Sequence, residues 1–207
     1  MNKLPLDKGR VHQKLKTRVS ILSAAKRLMK KSEKITLEDV AKEANISRAT
    51  IYRYFSNIDL LIMEASLDIQ HLSADQIKEE TNELSLVERI LFIQEHYNSL
   101  AQKNETGFRR YLSAALTESI TNKKKVRGAR RVESLKKSLE PFKARLPKEQ
   151  YERLINIASV LMGIDALIVA KDVCGLNNDE SSELLKWGIQ MIVKGMELDG
   201  GWESGQR

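Results

Sequence analysis

The sequence predicts an all-α fold of about nine helices, and three observations carry that expectation. Proline occurs only at Pro5, Pro141 and Pro147 in 207 residues, so long stretches can run as uninterrupted helix. Apolar residues recur at spacings of three and four, the helical period. No segment alternates apolar and polar residues with the period of two that a half-buried strand needs. With 42% hydrophobic and 30% charged residues, the chain can bury a sizeable core.

Residues 1–15 are basic and polar, with Lys3, Lys8, Arg10 and Lys14, and are expected to form a flexible arm. From about Lys16 an amphipathic helix places Val19, Leu22, Ala25, Leu28 and Met29 on one side and stops in KKSEK. Thr36, with Asp39 at capping-box spacing, opens a second helix whose inner face is Val40, Ala41 and Ala44. Asn45 tolerates the left-handed conformation that ends a helix. Ser47 caps a third helix, Arg48 to Phe55, and Asn57 caps a fourth, expected to run from Ile58 towards Glu80. Ser85 with Glu88 opens a fifth carrying Leu86, Ile90, Ile93 and Tyr97. A sixth spans Phe108 to Ile120, and a seventh Lys124 to Leu146, broken near Pro141. Pro147 starts a long apolar eighth helix reaching about Cys174. GLNND forms a turn, with Asn178 or Asp179 as cap, before a ninth helix to about Leu198.

Charge is unevenly distributed. Residues 1–60 hold 14 Lys and Arg against 6 Asp and Glu, a net +8, while the remainder holds 21 against 22. The whole excess of +7 therefore sits at the N-terminus, the pattern of a polyanion-binding module rather than of an evenly solubilised surface.

The stretch ISRATIYRYF, Ile46 to Phe55, concentrates that chemistry. An advance of about 100° per residue puts Ile51 and Phe55 on an inner stripe. Ala49, Thr50, Arg53 and Tyr54 fall on the outer face, with Arg48 and Tyr52 flanking it. Arginine can pair with guanine through two hydrogen bonds, Ala49 permits close approach, and the hydroxyls of Thr50, Tyr52 and Tyr54 can hold phosphates. Ala41, Asn45 and Ile51 have the spacing of a helix-turn-helix: a small residue at the crossing, a turn residue, and a branched residue locking the second helix onto the first. Without that skeleton, Arg48 and Arg53 would read as a solvated helix face.

ITLEDVAKEANISRATIYRYFSNIDLL closely resembles the DNA-binding signature of the tetracycline-repressor (TetR) family. Thr36, Ala41, Ser47, Thr50, Tyr52, Phe55 and Asn57 match it, and the likeness covers roughly residues 16–70. Asn45 replaces the usual turn glycine. Ile58 replaces a lysine that often grips a phosphate, so that contact is either lost or moved to Lys34, Arg53 or the arm, with the first N–H groups of helix four still available. The resemblance implies a helix-turn-helix domain over 16–57 and a regulatory and dimerisation domain over 58–207. It implies DNA contact by Thr36, Ser47, Arg48, Ala49, Thr50, Tyr52, Arg53, Tyr54 and Asn57. It further implies a bacterial, cytoplasmic, homodimeric regulator, a repressor on a palindromic double-stranded operator, released by a small-molecule effector.

Candidate lining residues for the effector are Phe92, His96, Tyr97, Phe108, Tyr111 and Met162, for each of which plain core is the simpler reading. The subunit interface is expected from Leu161, Ile164 and Ile168 on helix eight, with Leu184, Gly188, Met191, Ile192 and Gly195 on helix nine. Gly188 and Gly195 are two turns apart, where small residues permit close helix approach. A rival reading is a DNA-bound scaffold that recruits a protein partner and has no small-molecule effector.

Other signals are bland. Cys174 is the only cysteine, which excludes an intramolecular disulfide and suits a reducing compartment. MNKLPLDKGR lacks the apolar stretch of a secretion signal, and the most apolar run, Ala158 to Ala170, is too short for a membrane span. His12, His71 and His96 lack metal-ligand spacing. No nucleophile–base pair or phosphate loop appears, so neither an enzyme nor a cofactor is expected. The basic run NKKKVRGARR, residues 122–131, reads as a solvated helix end, with an anionic ligand or further DNA contact as alternatives. Asp165 in its apolar surroundings requires a neighbouring donor, within the chain or across a subunit interface.

Overall fold

A computed structural model describes residues 6–31, 34–67, 72–122 and 129–200. Among these residues all regular structure is helical. The α-helices are α1 (Leu6–Met29), α2 (Leu37–Glu43), α3 (Arg48–Tyr54), α4 (Ile58–Leu67), α5 (Ala74–Glu80), α6 (Leu86–Lys103), α7 (Glu105–Asn122), α8 (Arg130–Ser138), α9 (Lys148–Val160), α10 (Ile164–Ile168) and α11 (Asn178–Gly200). A 3₁₀ turn, Glu140–Phe142, follows α8, and a π-helical turn, Val169–Val173, follows α10. The chain divides into two compact units, residues 1–70 with 106–128 and residues 71–105 with 129–207.

The first unit contains α1 to α4 and, apart from its first residue, α7. Its core joins Ile21 and Leu22 of α1, Val40 of α2, Ile51 of α3, Phe55, and Leu60 and Leu61 of α4. Helix α1 starts at Leu6, well before the expected Lys16, so residues 6–15 continue the helix instead of forming a separate arm. Extending an existing helix gains one hydrogen bond for each residue fixed, which makes continuation cheap once the helix is nucleated. Residues 1–5 of the expected arm lie outside the described residues.

A polar triad lies in this unit, with Arg18 and Glu64 buried and Tyr111 partly so. The Arg18 guanidinium donates through Nε to Glu64 Oε1 at 2.8 Å and through Nη2 to Glu64 Oε2. The Tyr111 hydroxyl donates to Glu64 Oε2 at 2.8 Å. Arg18 also lies over the Phe55 ring, 4.6 Å from its centre. Arg18 and Glu64 are only 8% and 7% exposed, so each charge depends on the other.

The second unit packs α5, α6, α8, α9 and α11 around Ile77, Ile90, Ile93, Leu135, Leu154, Met162 and Ile189. The expected fourth helix is divided: α4 ends at Leu67, and α5 has its own start signal. Ser73 Oγ accepts from Gln76 N at 3.2 Å, and Gln76 Oε1 accepts from Ser73 N at 2.9 Å, a complete capping box. The expected eighth helix is divided between Val160 and Ile164, where Gly163 has φ 76°. These two divisions turn the expected nine helices into eleven among the described residues.

The second division leaves backbone groups without helical partners, and side chains supply them. Gln94 Nε2 donates to Leu161 O at 2.8 Å, and also reaches Leu185 O of α11 at 2.9 Å. Asn98 Oδ1 accepts from Gly163 N at 2.7 Å. Arg131 donates to Met162 O and to Asp165 Oδ2, the latter at 2.8 Å. Asp165 thus has a donor within its own chain, and Arg131, the last residue of the basic run, is used internally. Residues 123–128 of that run lie outside the described residues. Asn177 caps α11, in place of the expected Asn178 or Asp179: its Oδ1 accepts from Asp179 N at 2.9 Å and Glu180 N at 3.0 Å.

No single described helix is long and apolar enough to cross a membrane. Among the described residues no group of three or more His, Cys, Asp or Glu is placed to hold a metal.

Candidate nucleic-acid interface

The site is built from α2, the turn after it, and α3. Thr36 caps α2: Asp39 N donates to its hydroxyl at 3.2 Å, while the Asp39 carboxylate accepts from Thr36 N at 3.0 Å. The Thr36 hydroxyl, which donates to the same carboxylate at 2.7 Å, and then the Thr36 backbone N–H hold the Asp39 carboxyl below the usual carboxylate range. Helix α2 ends in a Schellman motif, with Ile46 N donating to Ala41 O at 2.9 Å and Asn45 N to Lys42 O at 3.1 Å. Asn45 sits in the left-handed region at φ 53°, where asparagine is the best tolerated residue after glycine. The expected turn chemistry is therefore the observed one.

Ser47 then caps α3, accepting from Thr50 N at 3.1 Å, with its hydroxyl 2.8 Å from Thr50 Oγ1. Ile51 and Phe55 fasten α3 to the core, at 0% and 1% exposure. Arg48, Ala49, Tyr52 and Arg53 are exposed, and Thr50 is partly so. Tyr54 departs from expectation: it is buried, 8% exposed, and takes its place in the core cluster. Ile51, Tyr54 and Phe55 stand at i, i+3 and i+4, the wide apolar stripe of an amphipathic helix, and the Arg53 guanidinium covers the Tyr54 ring at 5.6 Å. Asn57 is exposed, but its Oδ1 is engaged in capping α4, accepting from Leu60 N at 2.9 Å.

Glu38 was not singled out by its sequence. The Tyr52 hydroxyl donates to Glu38 Oε1 at 2.9 Å, and Arg48 Nε lies 3.1 Å from the same oxygen. Arg48 lies over the Tyr52 ring, 5.6 Å from its centre. Bonds from the Glu38 backbone N–H and the Tyr52 hydroxyl, with the nearby Arg48 charge, hold the Glu38 carboxyl below its usual range.

This arrangement, a short capped helix, a left-handed turn and a second helix pinned by one face with arginines on the other, defines a helix-turn-helix DNA-binding module. Residues 21–65 match the family model described as bacterial regulatory proteins, tetR family. On that match residues 21–65 form a DNA-binding domain of the tetR type, and the chain is similar over that stretch to transcriptional regulators of that family. No curated protein and no solved structure matches the chain.

The six effector-lining candidates are divided between the two units. Tyr97 and Met162 are core residues of the second unit, and Phe92 packs against that core. Tyr97 donates or accepts with Ser134 Oγ at 3.0 Å, and burial pushes its hydroxyl up to about 12. His96 Nε2 accepts from Leu72 N at 3.4 Å, and its ring meets Tyr97 edge-on. Phe108 and Tyr111 belong to the first unit, where Tyr111 serves the polar triad.

Of the interface candidates, Ile164 is buried, while Leu161 and Ile192 pack partly against the core and Ile168 is half-buried. Leu184, Met191 and Gly195 are exposed, and Gly188 is half-buried. Trp187, absent from the expected set, is the largest exposed apolar side chain of α11 at 58%. Its positions three after Leu184 and four before Met191 were the available signal.

Proposed function

We propose that this regulator is a homodimeric repressor on a palindromic operator, acting in the cytoplasm at the nucleoid and released by a small-molecule effector. The observation that carries the DNA-reading part is the exposed Arg48, Ala49, Tyr52 and Arg53 face of α3, set by the left-handed turn at Asn45. Arg48 is the base-reading residue, and Arg53 and Tyr52 are base or phosphate contacts. Thr36, Ser47 and Asn57 serve mainly as helix caps that fix the reading helix and its neighbours.

The dimer is supported by the stripe Leu184, Trp187, Gly188, Met191 and Gly195, spaced at three, four, seven and eleven residues along α11. A side-chain carbon added at Gly195 would meet nothing within 4 Å, so that glycine leaves room for a neighbouring helix. A two-fold dimer presents two reading helices to successive major grooves, about 34 Å apart. A coupling of about 1–3 kcal/mol between effector and operator sites changes operator affinity roughly 5- to 150-fold.

The test is selection of bound genomic fragments by the purified protein, followed by sedimentation. An inverted repeat bound by a dimer supports the reading. Fragments without sequence preference, or a monomer at micromolar concentration, contradict it. A scaffold that recruits a protein partner has one observation in its favour: Leu116 and Ile120 of α7 are 50% and 79% exposed. On that reading Ile120→Glu abolishes regulation while leaving operator affinity and dimerisation unchanged.

A further inference from the structure

A carboxylate on a surface meant for DNA needs a physical reason, because each phosphate repels it. The acids around α2 and α3 have different duties. Asp39 completes the α2 cap, and Glu43 accepts from Arg27 Nε at 2.7 Å. Glu38 instead turns to the reading helix, with the Tyr52 hydroxyl and Arg48 Nε meeting at one of its oxygens. Arg48 nevertheless keeps a side chain 75% exposed.

The geometry of guanidinium gives this contact meaning. Its planar fork offers an edge that includes Nε and an end that presents the two terminal nitrogens. The ion pair engages Nε. The terminal pair remains suited to the O6 and N7 acceptors of guanine. Tyr52, held by the same carboxylate, lies beneath the guanidinium plane. Arginine otherwise carries much rotamer freedom into binding, and this bracket removes part of it beforehand. The bracket also cancels one positive charge locally, which weakens attraction to any phosphate but leaves hydrogen bonding to a correct base edge intact.

We propose that Glu38 is a specificity-determining positioning residue: it aims Arg48 and Tyr52 at the base edge and discounts their attraction to DNA of the wrong sequence. The proposal rests on α3 being the reading helix. It predicts two separable effects, one from the acceptor oxygen and one from the charge.

The experiment measures fluorescence anisotropy of full-length protein on its selected operator and on a scrambled duplex of equal length, between about 50 and about 200 mM salt. Wild type, Glu38→Gln, Glu38→Ala and Arg48→Ala are compared, with thermal unfolding checking that each is folded. Glu38→Gln keeps an acceptor and loses the charge. It is expected to bind the scrambled duplex about ten-fold more tightly at about 0.1 M salt, with a salt slope steeper by about 1. Glu38→Ala loses both, and is expected in addition to relax base preference at the position that Arg48 reads. In the Arg48→Ala background, Glu38→Ala is expected to change that preference no further. Unchanged specificity ratio and salt slope in both Glu38 variants, with wild-type preference intact and sensitive to Arg48→Ala, would overturn the proposal alone. A wild-type protein without preference, or a preference indifferent to Arg48→Ala, removes the reading-helix assignment and the proposal with it.

Discussion

At position 45 the backbone turns left-handed, φ 53°, and a side chain there has to tolerate it. Alanine lacks the short polar group that makes this region accessible to asparagine. Asn45→Ala is expected to lower stability by about 1 kcal/mol, read as a fall in Tm, while Asn45→Gly should be close to neutral. Arg48→Ala is expected to cost about 1–3 kcal/mol in operator binding and to relax preference at one base position; uniform weakening over all sequences would make Arg48 a phosphate contact. His96 supplies a pH test. Burial holds its imidazole below the ordinary value of 6.5, so the unfolded chain takes up the proton first as pH falls. Its contribution is therefore full above about 6.5 and declines as acidification carries pH towards the lower folded value. His96→Gln should flatten the change in Tm between about pH 7.5 and 5.5; an unaltered slope would assign it to other groups. Residue roles were legible where one side chain answers a local backbone need, as at Thr36, Asn45 and Ser47. Tyr54 was misplaced because its angular position falls at the margin of the apolar stripe, and packing decided its side. Glu38 was hidden because its partners lie 10 and 14 residues away on another helix.

Among elements, the caps and turn of the helix-turn-helix could be read because each is a local feature of the sequence. The division of the expected fourth helix was also written in sequence, as Ser73 with Gln76, but continuous apolar periodicity obscured it. The α9–α10 division was different in kind. Gly163 alone tolerates either outcome, and the groups that satisfy the broken helix come from Gln94, Asn98 and Arg131, 31 to 67 residues away. No local reading could supply them. Gly163→Ala would strain a backbone at φ 76° and bring a new carbon to 3.3 Å from Arg131 Nη1. It should lower Tm by an amount corresponding to about 1–3 kcal/mol. At the exposed face of α11, Trp187→Arg is expected to shift sedimentation towards monomer and weaken operator binding together, because one head loses the benefit of its tethered twin. Dimerisation unaffected by this change would move the interface elsewhere.

For the molecule as a whole, the N-terminal concentration of charge predicts a steep fall of DNA affinity with salt, measurable by titration on one operator; a flat response would contradict the charge distribution. The unit that contains this end of the chain also holds the Arg18–Glu64–Tyr111 triad. Tyr111→Phe removes one donor from a buried carboxylate and should cost about 1–3 kcal/mol in denaturant unfolding, whereas Glu64→Ala takes the two-point carboxylate partner from the buried Arg18 and should cost about 3–5. Tyr111 lies 47 positions from Glu64, beyond the entire α5–α6 segment. The reading head is thus written in two separate stretches of the gene, with part of the other unit between them. A single recombination near codon 70 would deliver Arg18 and Glu64 to a new partner without the tyrosine that completes them. Grafting this head onto a foreign sensor therefore requires two junctions and the transfer of 106–128 as well. On the proposed reading, exchange of whole heads is disfavoured as a route to new operators, and substitution on the exposed face of α3 is the shorter path.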